Sequence, residues 1–304
     1  MKIAIVLAFL LMSFCTQIKI NYLNQSPPGL DAKLFAEGII STKANEHSPL
    51  TFSPAGTRVL WAVMDNHFRG RLFEMKYMEG SWTKPSIPSF ADTSADHYCP
   101  SFAPNGTLYF SSRRDAPAKY PLGEGNRIWQ VNLTAAGWGN PFPFDSTVSK
   151  SREFSHSIST KGTIYYSSMA TDSKDLNIYK AERLANSYAP PELLQYGIST
   201  IGYEDGPFIS PDENYLIFES TRPEGINGSH DLYISFKDKK GEWRLPRNMG
   251  ATVNSPAMER FPRVSPDGKY LFFASNRDQS NGKVGFDYYW IDASIIDFIR
   301  NQTE

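Results

Sequence analysis

Cysteine is scarce: the 304 residues contain two, Cys15 and Cys99. Cys15 lies in an apolar leader described below, and its removal would leave Cys99 alone. An intramolecular disulfide is then excluded, and packing must hold the fold. No Cys-His cluster with metal-ligand spacing occurs either. Charge of one sign is lacking too, with 31 Lys plus Arg against 32 Asp plus Glu and a net charge of −1. Such a balance supplies no field to hold a polyanion, which argues against nucleic acid as the main partner. Beyond residue 16 no apolar run is long enough to cross a bilayer, so the mature chain is expected to have no transmembrane segment. A Gly-x-Ser-x-Gly elbow, a Gly-rich phosphate loop and a His-Glu-x-x-His pair are all missing. These absences disfavour a serine hydrolase, a nucleotide-binding fold and a zinc protease.

Aromatics and turn formers, in contrast, are plentiful: 42 Phe, Trp and Tyr beside 42 Gly plus Pro. That mixture suits many short strands joined by tight turns, and the expected class is all-β. At 40% hydrophobic the chain can bury a large core. Lys2 followed by the apolar run from Ile3 to Phe14 reads as a secretory signal peptide, 1–15, with Ser13 and Cys15 as the small residues before the cut. The chain is therefore expected to be exported, to the periplasm or beyond. A lipoprotein acylated on Cys15 is the competing reading, but Phe14 stands where a small residue is needed. Residues 16–27 read as a linker and 28–304 as one domain.

That domain is an internal repeat. The segment from Gly206 to Arg222, containing Ser210-Pro-Asp-Glu-Asn-Tyr-Leu-Ile-Phe-Glu-Ser-Thr-Arg222, matches Phe261 to Arg277, containing Ser265-Pro-Asp-Gly-Lys-Tyr-Leu-Phe-Phe-Ala-Ser-Asn-Arg277. Weaker copies begin at Pro49, Pro100 and Ser155, and the turns fall at Pro54, Pro104, Thr160, Pro211 and Pro266. In each unit a Pro-Asp-Gly type turn reverses the chain between two apolar strands, because Pro fixes φ and Gly accepts a positive φ. A third strand follows, as in Asp231-Leu-Tyr-Ile-Ser235, and a fourth begins near an aromatic and a proline, as in Glu242-Trp-Arg-Leu-Pro246. Four strands make one propeller blade. The fifth unit stops after its third strand, whereas Leu34 to Thr42 resembles the fourth-strand region Arg247 to Asn254. The N-terminal segment is thus expected to complete the last blade and close a ring of five. Six blades, or an open array, are the alternatives, and Ile295 to Arg300 reads as a short helix on the ring.

The Ser265-Pro-Asp-Gly and Ser210-Pro-Asp-Glu repeats, with the later Asp287-Tyr-Tyr-Trp and Asp231-Leu-Tyr, resemble the WD-like propeller repeats of TolB-type exported bacterial proteins. The resemblance spans roughly residues 28–292 and implies the fold. Function stays open, because such repeats serve scaffolds, recognition modules and enzymes alike. Unit three departs most: Ser159-Thr-Lys-Gly162 lacks the Pro-Asp, and Met169 stands near the position of the other units' arginine.

Counting back from the turns places His47, His97, Glu153, Glu204 and Glu259 at one repeated position near a channel mouth, with Glu46, Asp96, Asp205 and Arg260 beside them. As a ligand site this ring could take a divalent cation or present paired carboxylates to a glycosidic bond. As structure, the glutamates would pair with the recurrent Arg114, Arg222 and Arg277. Trp82, Trp138 and Trp243 recur near the fourth strands as packing residues or stacking platforms, and the long Arg113 to Arg127 loop is a further recognition candidate. The sequence reads best as a monomeric, non-enzymatic recognition or scaffold propeller that needs no cofactor and binds a protein, peptide or glycan on one face. The alternative is a propeller glycoside hydrolase or lyase with channel carboxylates or a bound cation.

Overall fold

The computed structural model describes residues 19–67, 69–115, 125–149, 152–169, 175–226, 230–279 and 283–302. Five four-stranded antiparallel sheets succeed one another along the chain. Blade 1 runs through Thr51–Phe52, Arg58–Met64, Gly70–Met78 and Ser81–Trp82. The inner strands of blades 2 to 5 are His97–Phe102, Glu153–Ile158, Glu204–Ile209 and Glu259–Val264. Each is followed outward by two strands of five or six residues and a two-residue outer strand. Blade 5 has only three strands of its own, and Lys33–Leu34 supplies the fourth, with Lys33 opposite Trp290 and Leu34 opposite Tyr289. The ring is closed as the repeat implies, which leaves no free edge at the seam.

The turns are built from the repeated polar residues. In blade 4 the Ser210 hydroxyl accepts the backbone N–H groups of Asn214 and Tyr215, and in blade 5 Ser265 does the same for Lys269 and Tyr270. The left-handed turn position is glycine in four blades, for example Gly268 at φ +73°, and Glu213 at φ +62° in blade 4.

Alternating apolar side chains fill the clefts between blades, as expected when each sheet is covered on both faces. Tyr166 and Phe144 lie in the cluster between blades 2 and 3, Phe218 and Tyr165 between 3 and 4, and Phe273 and Ile234 between 4 and 5. The largest cluster joins blades 5, 1 and 2 through Phe272, Trp290, Trp61 and Phe110. Tyr22, in the stretch read as a linker, is packed into this seam: its ring lies 4.9 Å from Tyr270 and its hydroxyl donates to Asp267 Oδ1 at 2.6 Å. The helix Ser294–Asn301 buries Ile295, Ile296 and Ile299 against blades 4 and 5. The expected signal peptide, Cys15 and residues 116–124 of the long loop lie outside the described residues.

Candidate functional site

The inner strands start at one end of the central channel, here the upper end, and reach their turns at the lower end. Their first residues form a repeated anchor. Glu204 accepts the backbone N–H and hydroxyl of Thr200 at 2.9 and 2.6 Å and the Ser220 hydroxyl at 2.9 Å. Glu259 does the same with Ser255 at 2.9 and 2.6 Å and Ser275 at 2.8 Å. Arg222 lies 3.6 Å from Glu204 and Arg277 3.0 Å from Glu259. In blade 2 the imidazole of His97 replaces the carboxylate, with Nδ1 2.9 Å from the Ser112 hydroxyl and Nε2 2.7 Å from the Asp92 carbonyl. Burial, reinforced by Arg114, lowers the His97 pKa to about 4, so the ring is neutral at physiological pH. Glu153 is buried and accepts the Ser149 hydroxyl at 3.3 Å.

In blade 1 the equivalent residue is Glu46 rather than His47. Glu46 accepts Thr42 N–H and hydroxyl at 3.2 and 2.7 Å and pairs with Lys283 at 2.7 Å. The backbone register agrees: Asn45 bonds Met64 as Tyr203 bonds Thr221. From Glu46 to Thr51 is one step more than from Glu204 to the matching Phe208, so blade 1 carries one additional inner residue. Counting back from the turn therefore lands on His47, whose side chain belongs to a different layer.

That layer holds the densest charge cluster in the channel. Arg260 donates Nε and Nη2 to both Glu219 oxygens at 2.8 and 2.7 Å, Nη2 also reaches Asp205 Oδ2 at 3.4 Å, and Nη1 meets His47 Nε2 at 2.5 Å. Nη1 can only donate, so Nε2 of His47 is the acceptor, and burial with the Arg260 charge holds the His47 pKa well below its ordinary value. Burial opposes the charge on Arg260, but Glu219 and Asp205 together raise the pKa of the guanidinium above its ordinary value. Asp205 also accepts the Ser167 hydroxyl and Gly206 N–H at 2.5 and 2.7 Å. Arg260 thus ties blade 5 to blades 4 and 1, and Asp205 extends the cluster to Ser167 of blade 3. Glu219 was invisible to a search for residues at strand starts, because it sits on a second strand and faces the channel only through the blade's pleat.

Below the cluster, inner strands 2 to 5 each carry a register shift. Cys99, Gly206 and Phe261 hold a left-handed backbone there at φ +51°, +64° and +55°. Gly206 relieves both the φ and the crowding there, since a Cβ would lie 3.2 Å from the Phe261 backbone. Cys99 is buried in the channel wall, its Sγ 3.4 Å from the Ser155 hydroxyl, and burial pushes the thiol up to about 12.

Beside the upper end, between blades 1 and 2, opens a groove of 790 Å³ lined by Arg69, Asp92, Asp96, Arg113, Arg114 and Trp129. Trp82, Trp138 and Trp243 take part in packing. Trp138 lies 5.0 Å from Phe90 and donates to Glu74, Trp82 donates to the Asn21 carbonyl, and Trp243 meets Tyr165. Among the described residues no group of three or more His, Cys, Asp or Glu side chains is placed to hold a metal ion, and no helix is long and apolar enough to cross a membrane.

Fold and channel together define an all-β, five-bladed propeller with TolB-like repeats. No protein-family model matches the sequence, and no curated protein matches it. Among solved structures, a TolB protein from Agrobacterium tumefaciens is 18% identical, with 75% of this chain and 69% of that chain covered at a TM-score of 0.50. The catalytic domain of a Coprinopsis cinerea GH62 α-L-arabinofuranosidase is 10% identical over 86% and 97%, with a TM-score of 0.52. An endo-arabinase from Bacteroides thetaiotaomicron is 14% identical over 83% and 95%, with a TM-score of 0.50. Identities this low establish a shared fold and nothing finer.

Proposed function

We propose that the protein is an exported, monomeric, non-enzymatic recognition propeller that binds a protein, peptide or glycan at its upper face, in the groove between blades 1 and 2. The observation that carries this reading is that Glu46, Glu204, Glu219 and Glu259 all stand in ion pairs. A general acid or nucleophile must be free to reach substrate, whereas carboxylates anchored in the same way blade after blade serve the ring. His47, His97, Glu153, Glu204 and Glu259 then position the upper face rather than contact ligand. Arg260 supplies the positive charge a divalent cation would bring, so the reading needs no cofactor. The groove offers guanidinium and carboxylate groups beside an indole, a set suited to polar ligands. The test is a panel of glycans and envelope proteins titrated against the full chain and Arg113→Glu. Binding that the variant weakens supports the reading, and identical binding by both sinks it.

A second reading, a polysaccharide hydrolase, is favoured by one feature: Asp205 and Glu219 share Arg260 at the centre of a fold also used by arabinan-degrading enzymes. Release of arabinose from arabinan, abolished by Glu219→Gln with the fold intact, would establish it in place of the first.

A further inference from the structure

At the lower end the five inner strands contribute one residue each to a single ring. Thr51, Ser101, Ser157, Phe208 and Arg263 stand opposite Leu60, Tyr109, Tyr165, Ile217 and Phe272 in the same register. They line a cavity of 340 Å³ at whose mouth the turn prolines Pro54, Pro104, Pro211 and Pro266 converge. Among the described residues lining it, Arg263 alone is charged.

Arg263 is buried, 4% exposed, and is held by dipoles rather than by a counter-charge. Nη1 donates to the carbonyls of Pro262 and Pro207 at 2.7 and 3.2 Å, Nη2 donates to the His156 carbonyl at 2.9 Å, and the buried Nε has no partner. No carboxylate is ion-paired with it among the described residues, in contrast to Arg260 three residues earlier on the same strand. Burial lowers its pKa to about 10, which leaves it cationic at neutral pH. Asp205 and Glu219 act on it through space, but its hydrogen bonds go only to carbonyls, and a carboxylate in contact is the natural partner of a buried guanidinium in geometry and charge. Two nearby hydroxyls are already committed: Thr51 accepts Phe102 N–H and Ser157 accepts Ile209 N–H. The remaining wall is mostly proline, phenylalanine and branched aliphatic side chains, with the hydroxyl residues Ser101, Ser265 and Tyr215 among them, and the volume is that of a site enclosing a small molecule.

We infer that the lower channel mouth binds a small organic acid, its carboxylate on Arg263 and its apolar body between Phe208 and the ring of prolines. The site is separate from the upper-face groove and stands or falls independently of it. The test is calorimetric titration of the full chain with hydrocinnamate and with its uncharged amide. The acid is expected to bind, with the amide weaker by about tenfold or more, the effect of a charge-assisted hydrogen bond. Arg263→Met should abolish binding of the acid, Arg263→Lys should weaken it, and Arg113→Glu on the upper face should leave it unchanged. Acid and amide binding alike, no binding of the acid, or full binding to Arg263→Met would overturn the assignment. The acid-to-amide comparison uses the unaltered chain, so it decides the matter even if a variant fails to fold. Tighter binding of a short peptide ending in a free phenylalanine carboxylate would also overturn it, in favour of a polypeptide terminus.

Discussion

Two arginines of one strand, Arg260 and Arg263, lie three residues apart and do opposite things. Arg260 is enclosed by Glu219, Asp205 and His47, so its charge is spent within the protein, and the cluster ties four blades together. Arg263 is fixed by backbone carbonyls from three blades and keeps its charge. The difference shows that burial of a cation does not by itself reveal its role; the presence or absence of an acid beside it does.

The comparison can be broken most directly at Arg260. Arg260→Met strands two buried carboxylates and should cost about 3–5 kcal/mol, the usual penalty for breaking a buried pair. Urea denaturation would measure it, and a loss below 1 kcal/mol, about the value of a surface pair, would remove the cluster's claim to hold the ring.

The next largest effect is acid lability. Burial holds His47, His97, His156 and His230 below the ordinary histidine pKa, to about 4, 3 and 4 for the last three. Below pH 6.5, the unfolded value, the unfolded chain takes up protons that the folded chain refuses, so stability falls as pH falls from about 6.5 toward 4. The slope is at most on the order of 1.4 kcal/mol per pH unit for each such group. Glu46, raised to about 7 by burial, works in the opposite sense between about 4.5 and 7, because there the folded state holds the extra proton and gains stability as pH falls. Glu219, also raised to about 7 by burial, works the same way, and the two offset about half of the histidine effect. Denaturation midpoints that rise on acidification across this window would contradict the account.

Gly206→Ala forces a side chain into a left-handed position against Phe261 and should destabilise by about 1–3 kcal/mol. Thermal melts of the variant test whether the shared strand geometry is as tight as it looks. The smallest effect is expected from Arg263→Met. It leaves carbonyls but no ion-paired carboxylate behind, so the loss should be about 1–2 kcal/mol, below that of Arg260→Met. A loss equal to that of Arg260→Met would make the lower arginine structural too and erase the contrast.

Much of this was legible in the chain. The Pro54, Pro104, Thr160, Pro211, Pro266 spacing counts the blades even though Thr160 lacks the flanking Pro-Asp, because a hairpin needs a positive φ at Gly162 more than it needs proline. The likeness of Leu34 to Thr42 to a fourth-strand region found the closure that Lys33 and Leu34 make. The anchors Glu153, Glu204 and Glu259 were legible as a repeat, since the same residue at the same position in three units implies the same task. His47 was assigned to the wrong layer for a physical reason. An added residue inside blade 1 shifts every side chain upstream of it by one, and no turn marks where the shift occurs.

What the sequence alone determined is whatever recurs locally: strand, turn and anchor are set by residues within a few positions of one another, so a period of like letters reads directly as a period of like structures. What the tertiary structure decided is which charges meet. Arg260 finds Glu219 at a separation of 41 residues and His47 at 213, whereas Arg263 feels Asp205 and Glu219 only through space and stands in no ion pair among the described residues. Ring closure brings the first strand against the last, and Coulomb energy depends on distance in space, which the order of residues along the chain does not contain.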